Sequence, residues 1–427
     1  MCNMKILVVG QGGREHTLVW KLAQSRRVEK IYCAPGNAGI AQIAETLPMP
    51  DRFTDLADWA ESENIALTVV GPEAPLAEGI VDVFSERGLK AFGPDKRAAR
   101  LEASKDFAKQ LMLENGISTA EHQTFTDVEA AMAYIEDQNR PVFVKANGLA
   151  AGKGVIPGRT FKEALQAVKT ILVDKAFGDA GDSVVIEEEL IGEEASFTVL
   201  TDGSHCLPFV SSQDHKMSHD GDTGKNTGGM GAYSPAPVIT PELHDYVMQH
   251  VVYPTINGMA DIGSPFKGVL YVGLMITDTG PKVLEFNCRF GDPEAQVLLP
   301  RLKSDLVPLL IACIDGTLAD HADVQWHDEA AACVVMASGG YPDPYQTGEI
   351  ITGLEDADAI EGVSVFHAGT THDGENIVTA GGRVLGVTAI ADGLHNAIQQ
   401  AYKGVSAIHF NKTHFRNDIG HRALKKS

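Results

Sequence analysis

The stretch Leu284-Glu285-Phe286-Asn287-Cys288-Arg289-Phe290-Gly291-Asp292-Pro293-Glu294 places two candidate metal ligands, a cation and two further acids within eleven residues. On an extended strand, residues two apart share a face, so Glu285 and Asn287 aim a carboxylate and an amide oxygen at one point. Two oxygen ligands suit Mg²⁺, which takes one or two protein carboxylates and fills its octahedral shell with water and substrate phosphates. A nucleotide site is therefore the expectation. A solitary Glu-x-Asn is more often the end of a solvated strand, so the neighbouring segments must decide.

Upstream, Pro141-Val-Phe-Val-Lys145 predicts a strand, residues 146–154 are rich in glycine and alanine, and Val155-Ile156 resumes a strand before a helix over 161–172. The sequence Gly148-Leu-Ala-Ala-Gly-Lys-Gly154 is not a Walker A loop. Its glycine spacing is short, Gly154 stands where Ser or Thr belongs, and it joins two strands instead of a strand and a helix. Such a hairpin tip can close over phosphates as a flap. The segment from Val184 to Glu194 predicts a strand and turn whose acids suit an adenine amino group or ribose hydroxyls, with backbone near Glu188 to Leu190 reading the base edge. Taken alone, those acids are a solvated turn. Residues 213–234 are expected to form a long glycine-rich polar loop, a length that usually signals function. Within it His215 is expected to pack or hydrogen-bond, and Met230 to fill a gap. Strands over 268–277 and 281–286 then lead into the opening stretch and a helix ending at Asp315.

Toward the N-terminus, strands at 5–9, 30–34 and 66–70 with a helix over 14–24 describe an open parallel α/β unit. Ligands of such sheets sit at the carboxyl ends of the strands, here the loops Gly10-Gln-Gly-Gly-Arg14, Pro35-Gly-Asn-Ala-Gly39 and Gly71-Pro-Glu-Ala-Pro75. A dinucleotide fingerprint would need glycine where Glu15 stands, which demotes NAD binding. The amides of Gly12 and Gly13 could cradle one phosphate with Arg14 adding charge, or simply close a tight turn. A helix over 101–115 carries Lys105, and a strand-helix unit follows over 122–138. From about Trp326, strands at 330–337, 363–368 and 382–390 and a helix over 394–404 start a further α+β domain, punctuated by Gly339-Gly-Tyr-Pro342 and Gly381-Gly-Arg383.

The length of 427 residues predicts about three domains. We divide the chain into an α/β substrate-binding domain (1–104), a central region (105–325, with a flap subdomain at about 122–190) and a small C-terminal α+β domain (326–427). A net charge of −22 argues against nucleic-acid or anionic-membrane partners, so phosphates must meet local basic side chains and amides. Arg416, Arg422, Lys425 and Lys426 are a mild basic exception near the end. Six cysteines, at 2, 33, 206, 288, 313 and 333, lack Cys-x-x-Cys spacing and fit a reducing cytoplasm. The start Met1-Cys2-Asn3-Met4 has no signal-peptide pattern, and the apolar run at 306–314 is too short for a membrane span.

Taken together, residues 10–16, 35–39, 71–76, 145–155, 222–235 and 285–294 resemble the ATP-grasp enzymes, and within them the glycinamide ribonucleotide synthetase family, nearly end to end. The stretches 222–235 and 285–294 are the specific ones. Ala103, Asn147 and Lys225 depart from residues common in the family. The resemblance implies a central ATP-grasp fold and ATP-dependent joining of glycine to 5-phosphoribosylamine through a glycyl phosphate. It implies Mg²⁺ or Mn²⁺ on Glu285 and Asn287, and ATP held by Lys105, Lys145, Gly152, Lys153, Gly154, Glu187, Glu188, Leu190 and Glu194. Arg289 would clamp a carboxylate or the acyl phosphate bidentately, and Asp214, Lys216 and Asp292 would complete the catalytic set, the two aspartates orienting an amine. Substrate contacts are expected from Gly12, Gly13, Arg14, Asn37, Glu73, Asn226, Gly228 and Gly229. Small molecules would be its partners, in a monomer or weak homodimer. The alternatives are another ATP-grasp ligase or carboxylase, a regulatory nucleotide binder, and an NAD-dependent oxidoreductase.

Overall fold

The computed structural model describes residues 3–150 and 152–425, so Cys2 and Lys426 lie outside the described residues. The N-terminal sheet is fully parallel, in the order Glu45–Thr46, Val28–Pro35, Met4–Gly10, Ile65–Val70, Ala91–Phe92. Its central strand is a continuous apolar run because both faces are covered, as parallel sheets require. Ile6 and Val8 pack with Leu18 and Leu22, while Leu7 and Val9 pack with Leu56 and Phe84. The first of those cores also holds Leu298, Leu306 and Leu310. The helix Leu306–Asp315, although assigned to the central region by sequence, therefore seals the N-terminal sheet. It is preceded by a separate short helix, Ala295–Leu298, so the single helix expected here is two.

Two antiparallel sheets form the centre. One runs His122–Phe125, Val184–Glu188, Val142–Ala146, Val155–Gly158, and the other Cys206–Pro208, Glu193–Asp202, Lys267–Thr277, Gly280–Asn287. The hairpin of Val142–Ala146 with Val155–Gly158 is the expected flap, and the helix Phe161–Leu172 behind it starts at a capping box of Thr160 and Glu163. The helix expected over 101–115 breaks at Ser104, whose extended backbone and side-chain oxygen cap a new helix, Lys105–Glu114. Lys105 thus sits in a first helical turn.

Residues 213–234 are not the one long polar loop expected but include four strands. Gln213–Asp214 and Gly231–Ser234 join the C-terminal sheet beside Ala330–Ala337, Arg383–Ala391 and Val363–His367, and Met217–His219 pairs with Thr223–Asn226 as a hairpin. Positive φ at Gly221, Asp222 and Gly224 makes its tight turn, and the pairing uses backbone groups that a polar, glycine-rich composition conceals. A second hairpin, Thr370–Asp373 with Asn376–Thr379, had no counterpart in the sequence reading. The helix Leu394–Ala407 covers the C-terminal sheet through Ala401 and Val405. Among the described residues no helix is long and apolar enough to cross a membrane.

Candidate active site

A cavity of about 310 Å³ opens between the two central sheets, bounded also by residues of the N-terminal and C-terminal domains. Glu285 and Asn287 both line it, as the two-residue spacing required. The Asn287 amide nitrogen donates to Glu102 Oε1 at 2.9 Å, which fixes its oxygen as the free end. The Glu285 backbone pairs with Gly273 in the sheet, but its carboxylate has no hydrogen bond or ion pair among the described residues, although the residue is half-buried. A carboxylate and an amide oxygen, both without protein donors, are the oxygen set a hard divalent cation takes.

Arg289 departs from expectation. Its Nε donates to Glu73 Oε2 at 3.1 Å, Nη2 pairs with Glu102 Oε1 at 2.9 Å, and Nη1 donates to the Phe290 carbonyl. The free fork expected for a substrate carboxylate is thus already engaged by two protein carboxylates. Burial pushes Glu73 up, but Arg289 and Arg14 outweigh it and hold Glu73 below its ordinary value. At Glu102 burial wins, and the group is pushed up despite Arg289.

At the flap end, Lys105, Gly152, Gly154 and Glu187 line the cavity. Glu187 Oε2 receives Lys145 at 2.8 Å and Lys109 at 3.2 Å, while its Oε1 is buried without a partner among the described residues. Glu187 is therefore first a lysine anchor, with one oxygen left for a ligand. Burial pushes Glu187 up, and the two ammonium groups outweigh it. Burial also pushes Lys109 down to about 8, against Glu187. Lys153 is exposed and outside the cavity lining. Glu188 does not line the cavity either, because it is tied to Lys282, Arg140 and the Glu121 amide. Leu190 and Glu194 likewise lie outside the lining.

At the other end, Lys216 and Asp214 form a pair at 2.9 Å inside the cavity. Beside them Tyr271 and Ser196 both hydrogen-bond Glu294 Oε1. Arg14, Glu73, Asn226, Gly228 and Asp292 also line the cavity; Gly12, Gly13, Asn37 and Gly229 do not. Of the two amides expected to cradle a phosphate, that of Gly12 meets a carboxylate instead, donating to Glu15 Oε2 at 2.6 Å, and the following Arg14 N–H donates to Asp292 Oδ2 at 3.2 Å. Acids occupy this helix N-terminus, where they are electrostatically favoured. Asn37 is likewise a bracket: its nitrogen donates to the carbonyls of Gln11 and His367, and its oxygen accepts from the amides of Gly39 and Ile40. All its hydrogen-bonding capacity is used within the protein. Burial pushes Asp292 up, but Arg383 and Arg14 outweigh it and keep the carboxyl below its usual range.

Sequence reasoning missed Glu102, Lys109, Tyr271 and Arg383. Lys109 was findable, one helical turn beyond Lys105 on the same helix face. Arg383 was noticed only as part of a turn. Glu102 carried no local signal. His215 behaves as expected: buried, it accepts the Gly420 N–H on Nε2 at 2.9 Å. Its Nδ1, Asp222 and His421 bring metal-ligand atoms within 4.8 Å of one another. The accepting Nε2 leaves the proton on Nδ1, and Arg416 and Arg422 pair with Asp222 at 3.0 and 2.8 Å, so this is a salt-bridged junction and not a cation site.

Comparison with known proteins accounts for this architecture. Family models described as phosphoribosylglycinamide synthetase match as an N domain over residues 4–102, an ATP-grasp (A) domain over 103–295 and a C domain over 331–422. The phosphoribosylamine–glycine ligase of Escherichia coli O6:H1 is 52% identical over 428 residues, covering 99% of each chain. A crystal structure of phosphoribosylamine–glycine ligase from Thermotoga maritima superposes with a TM-score of 0.85 at 29% identity, over 97% of this chain and 100% of that one. The biotin carboxylase domain of Hydrogenobacter thermophilus 2-oxoglutarate carboxylase, in complex with MgADP, shares the fold with a TM-score of 0.72 at 16% identity, over 97% and 92% of the two chains. The chain belongs to the phosphoribosylglycinamide synthetase family.

Proposed function

We infer that the chain is an ATP-dependent ligase that joins glycine to 5-phosphoribosylamine in purine biosynthesis, giving glycinamide ribonucleotide, ADP and phosphate. The observation that carries the reading is a single cavity with lysines and an oxygen pair at one end and carboxylates and arginines at the other, in a chain 52% identical to a phosphoribosylamine–glycine ligase. A carboxylate is a poor electrophile. A glycine carboxylate oxygen therefore attacks the γ-phosphorus of ATP, the bond to the β-phosphate oxygen breaks, and ADP leaves. The amine nitrogen of phosphoribosylamine then attacks the acyl carbon, phosphate departs with the C–O electron pair, and the nitrogen loses a proton. Neither step needs a protein nucleophile, so the work of the chain is positioning and charge neutralisation.

In this reading Lys105 and Lys145 face the ATP phosphates, and Lys153 joins them when the flap closes and shields the acyl phosphate from water. Glu285 and Asn287 hold Mg²⁺ or Mn²⁺, which when bound neutralises phosphate charge during transfer. Asp214 and Asp292 orient the two amines, and Lys216, paired with Asp214, holds it in place. Arg289, held by Glu73 and Glu102, presents its charge to the acyl group without a free fork. Gly152 and Gly154 let the flap approach the phosphates, and Asn226 and Gly228 border the substrate end. We place the enzyme in the cytoplasm, consistent with free cysteines, and as a monomer or weak homodimer. The test is ADP and phosphate formation from MgATP with each substrate omitted in turn. Turnover only when glycine and freshly generated phosphoribosylamine are both present is expected, and turnover with either omitted would remove the assignment.

A further inference from the structure

The cations of the cavity are unevenly compensated. Arg14 gives Nε to Glu15 at 2.6 Å, Arg289 is held by Glu73 and Glu102, Lys216 by Asp214, and Lys109 by Glu187, which it shares with Lys145 behind the lining. Two lining cations lack a hydrogen-bonded carboxylate among the described residues. Lys105 reaches only the Gly148 carbonyl, at 3.3 Å. Arg383 has its nearest carboxylate, Asp292, at 3.4 Å, and Asp292 already accepts from the Arg14 amide and from Gln296.

Arg383 is nevertheless held firmly. Its Nη1 donates to the carbonyls of Gly228 and Asp292, each at 2.6 Å, and to Gly229 at 3.4 Å. Nε and Nη2 have no acceptor among the described residues, and the side chain keeps 22% exposure where it lines the cavity. The backbone leading to it is built for close approach: a β-carbon on Gly382 would strike the Tyr341 ring, and one on Gly381 would press on Gly369. One guanidinium nitrogen is thus locked by carbonyls of two loops, and the other edge is a preorganised, unused fork.

The reaction supplies two polyanions, the ATP triphosphate and the phosphate ester of phosphoribosylamine. Lys105, on the helix that also carries Lys109, belongs to the nucleotide end. Arg383 enters from the C-terminal domain beside Gly228 and Asp292, away from the flap lysines. Glycine's carboxylate must meet the γ-phosphate and so stands near Glu285, Asn287 and Arg289. We propose that Arg383 binds the 5-phosphate of phosphoribosylamine through its Nε and Nη2 edge, an inference that rests on the ligase reading above. A planar guanidinium fork suits two phosphate oxygens, which a lysine meets only as a point charge.

The test compares phosphoribosylamine, generated from ribose 5-phosphate and ammonia, with phosphate-free ribosylamine, generated from ribose and ammonia, on wild type, Arg383→Ala and Arg383→Lys. Wild-type dependence on glycine and phosphoribosylamine checks the ligase reading separately. For Arg383→Ala, kcat/KM for phosphoribosylamine should fall about 10- to 100-fold, the scale of a hydrogen-bonded charge pair. That for ribosylamine, and the KM values for glycine and ATP, should stay within about twofold. Arg383→Lys should recover part of the loss. Equal losses on both amines, or a matching rise in the glycine KM, would make Arg383 only a brace between loops and overturn the proposal. Should Arg383→Ala melt early, titration calorimetry of ribose 5-phosphate against Arg383→Lys decides: weaker binding than wild type supports the fork, and equal binding removes it.

Discussion

Glu102 and Asn287, 185 residues apart, meet at 2.9 Å, with the Asn287 amide nitrogen donating to the Glu102 carboxylate. The same oxygen receives Arg289, and the other receives the Cys288 amide at 2.6 Å. One buried acid therefore holds three consecutive residues of the opening stretch. It decides which end of the Asn287 amide faces the cavity, and it keeps the Arg289 charge beside that oxygen. Such supporting contacts commonly tune metal affinity as much as the ligands do.

Replacing Glu102 with Ala should release Asn287 to rotate and leave Arg289 with Glu73 alone. Mn²⁺ binding in the presence of ADP, followed by electron paramagnetic resonance, should weaken about 10- to 100-fold. Glu102→Gln retains one acceptor oxygen and should lie between. Unchanged Mn²⁺ affinity in a folded Glu102→Ala protein would separate Glu102 from the metal site.

The Glu285 carboxylate makes no hydrogen bond or ion pair with the described residues, so the side chain has no structural partner to lose. Glu285→Ala should leave the melting temperature within about 2 °C of wild type, as expected for a change under about 0.5 kcal/mol. Turnover should nevertheless be abolished. Full Mg²⁺-dependent activity in this variant would sink the metal assignment.

Lys153 lies exposed on the flap, outside the cavity lining. If closure brings it onto the phosphates, Lys153→Ala should raise the KM for ATP about tenfold or more without moving thermal unfolding, since charge-assisted contacts contribute about 1.5–3 kcal/mol. ATP kinetics identical to wild type would count against the flap's role in binding.

How far the sequence was readable follows from the range of the interactions. The flap was legible because two apolar strand runs flank glycines within one short segment, and Glu285 with Asn287 because strand periodicity is a local rule. The break at Ser104 was recorded locally too, in a serine that caps Lys105–Glu114, but was passed over. The engagement of Arg289 was not legible, since Glu73 and Glu102 approach from positions 216 and 187 residues away. Nor was the pairing of Gly231–Ser234 with Ala330–Ala337, where backbone groups of a polar segment complete a distant sheet. Asn37 misled because a loop asparagine can serve a ligand or the fold equally, and only its four partners decide.

The junction between the N-terminal and C-terminal domains makes a prediction about acid. His16 Nδ1 accepts the His367 amide at 2.7 Å, and His367 in turn contacts Thr370. Burial, with the neighbouring His367, lowers His16 to about 3, and burial, with His372, lowers His367 to about 4. Both are therefore neutral in the folded protein near pH 7, whereas the unfolded chain takes up their protons below about 6.5. Stability from this source is fully present above about pH 6.5 and is lost progressively as pH falls toward those lowered values. One such histidine costs about 2 kcal/mol by pH 5. His16→Asn keeps an acceptor oxygen for the His367 amide but cannot be protonated in this range. Urea unfolding at pH 7.5 and pH 5 should show a smaller loss in the variant, by about that amount. Equal losses in the two proteins would mean that His16 is solvated on the time scale of the measurement and that the junction opens without the whole chain unfolding.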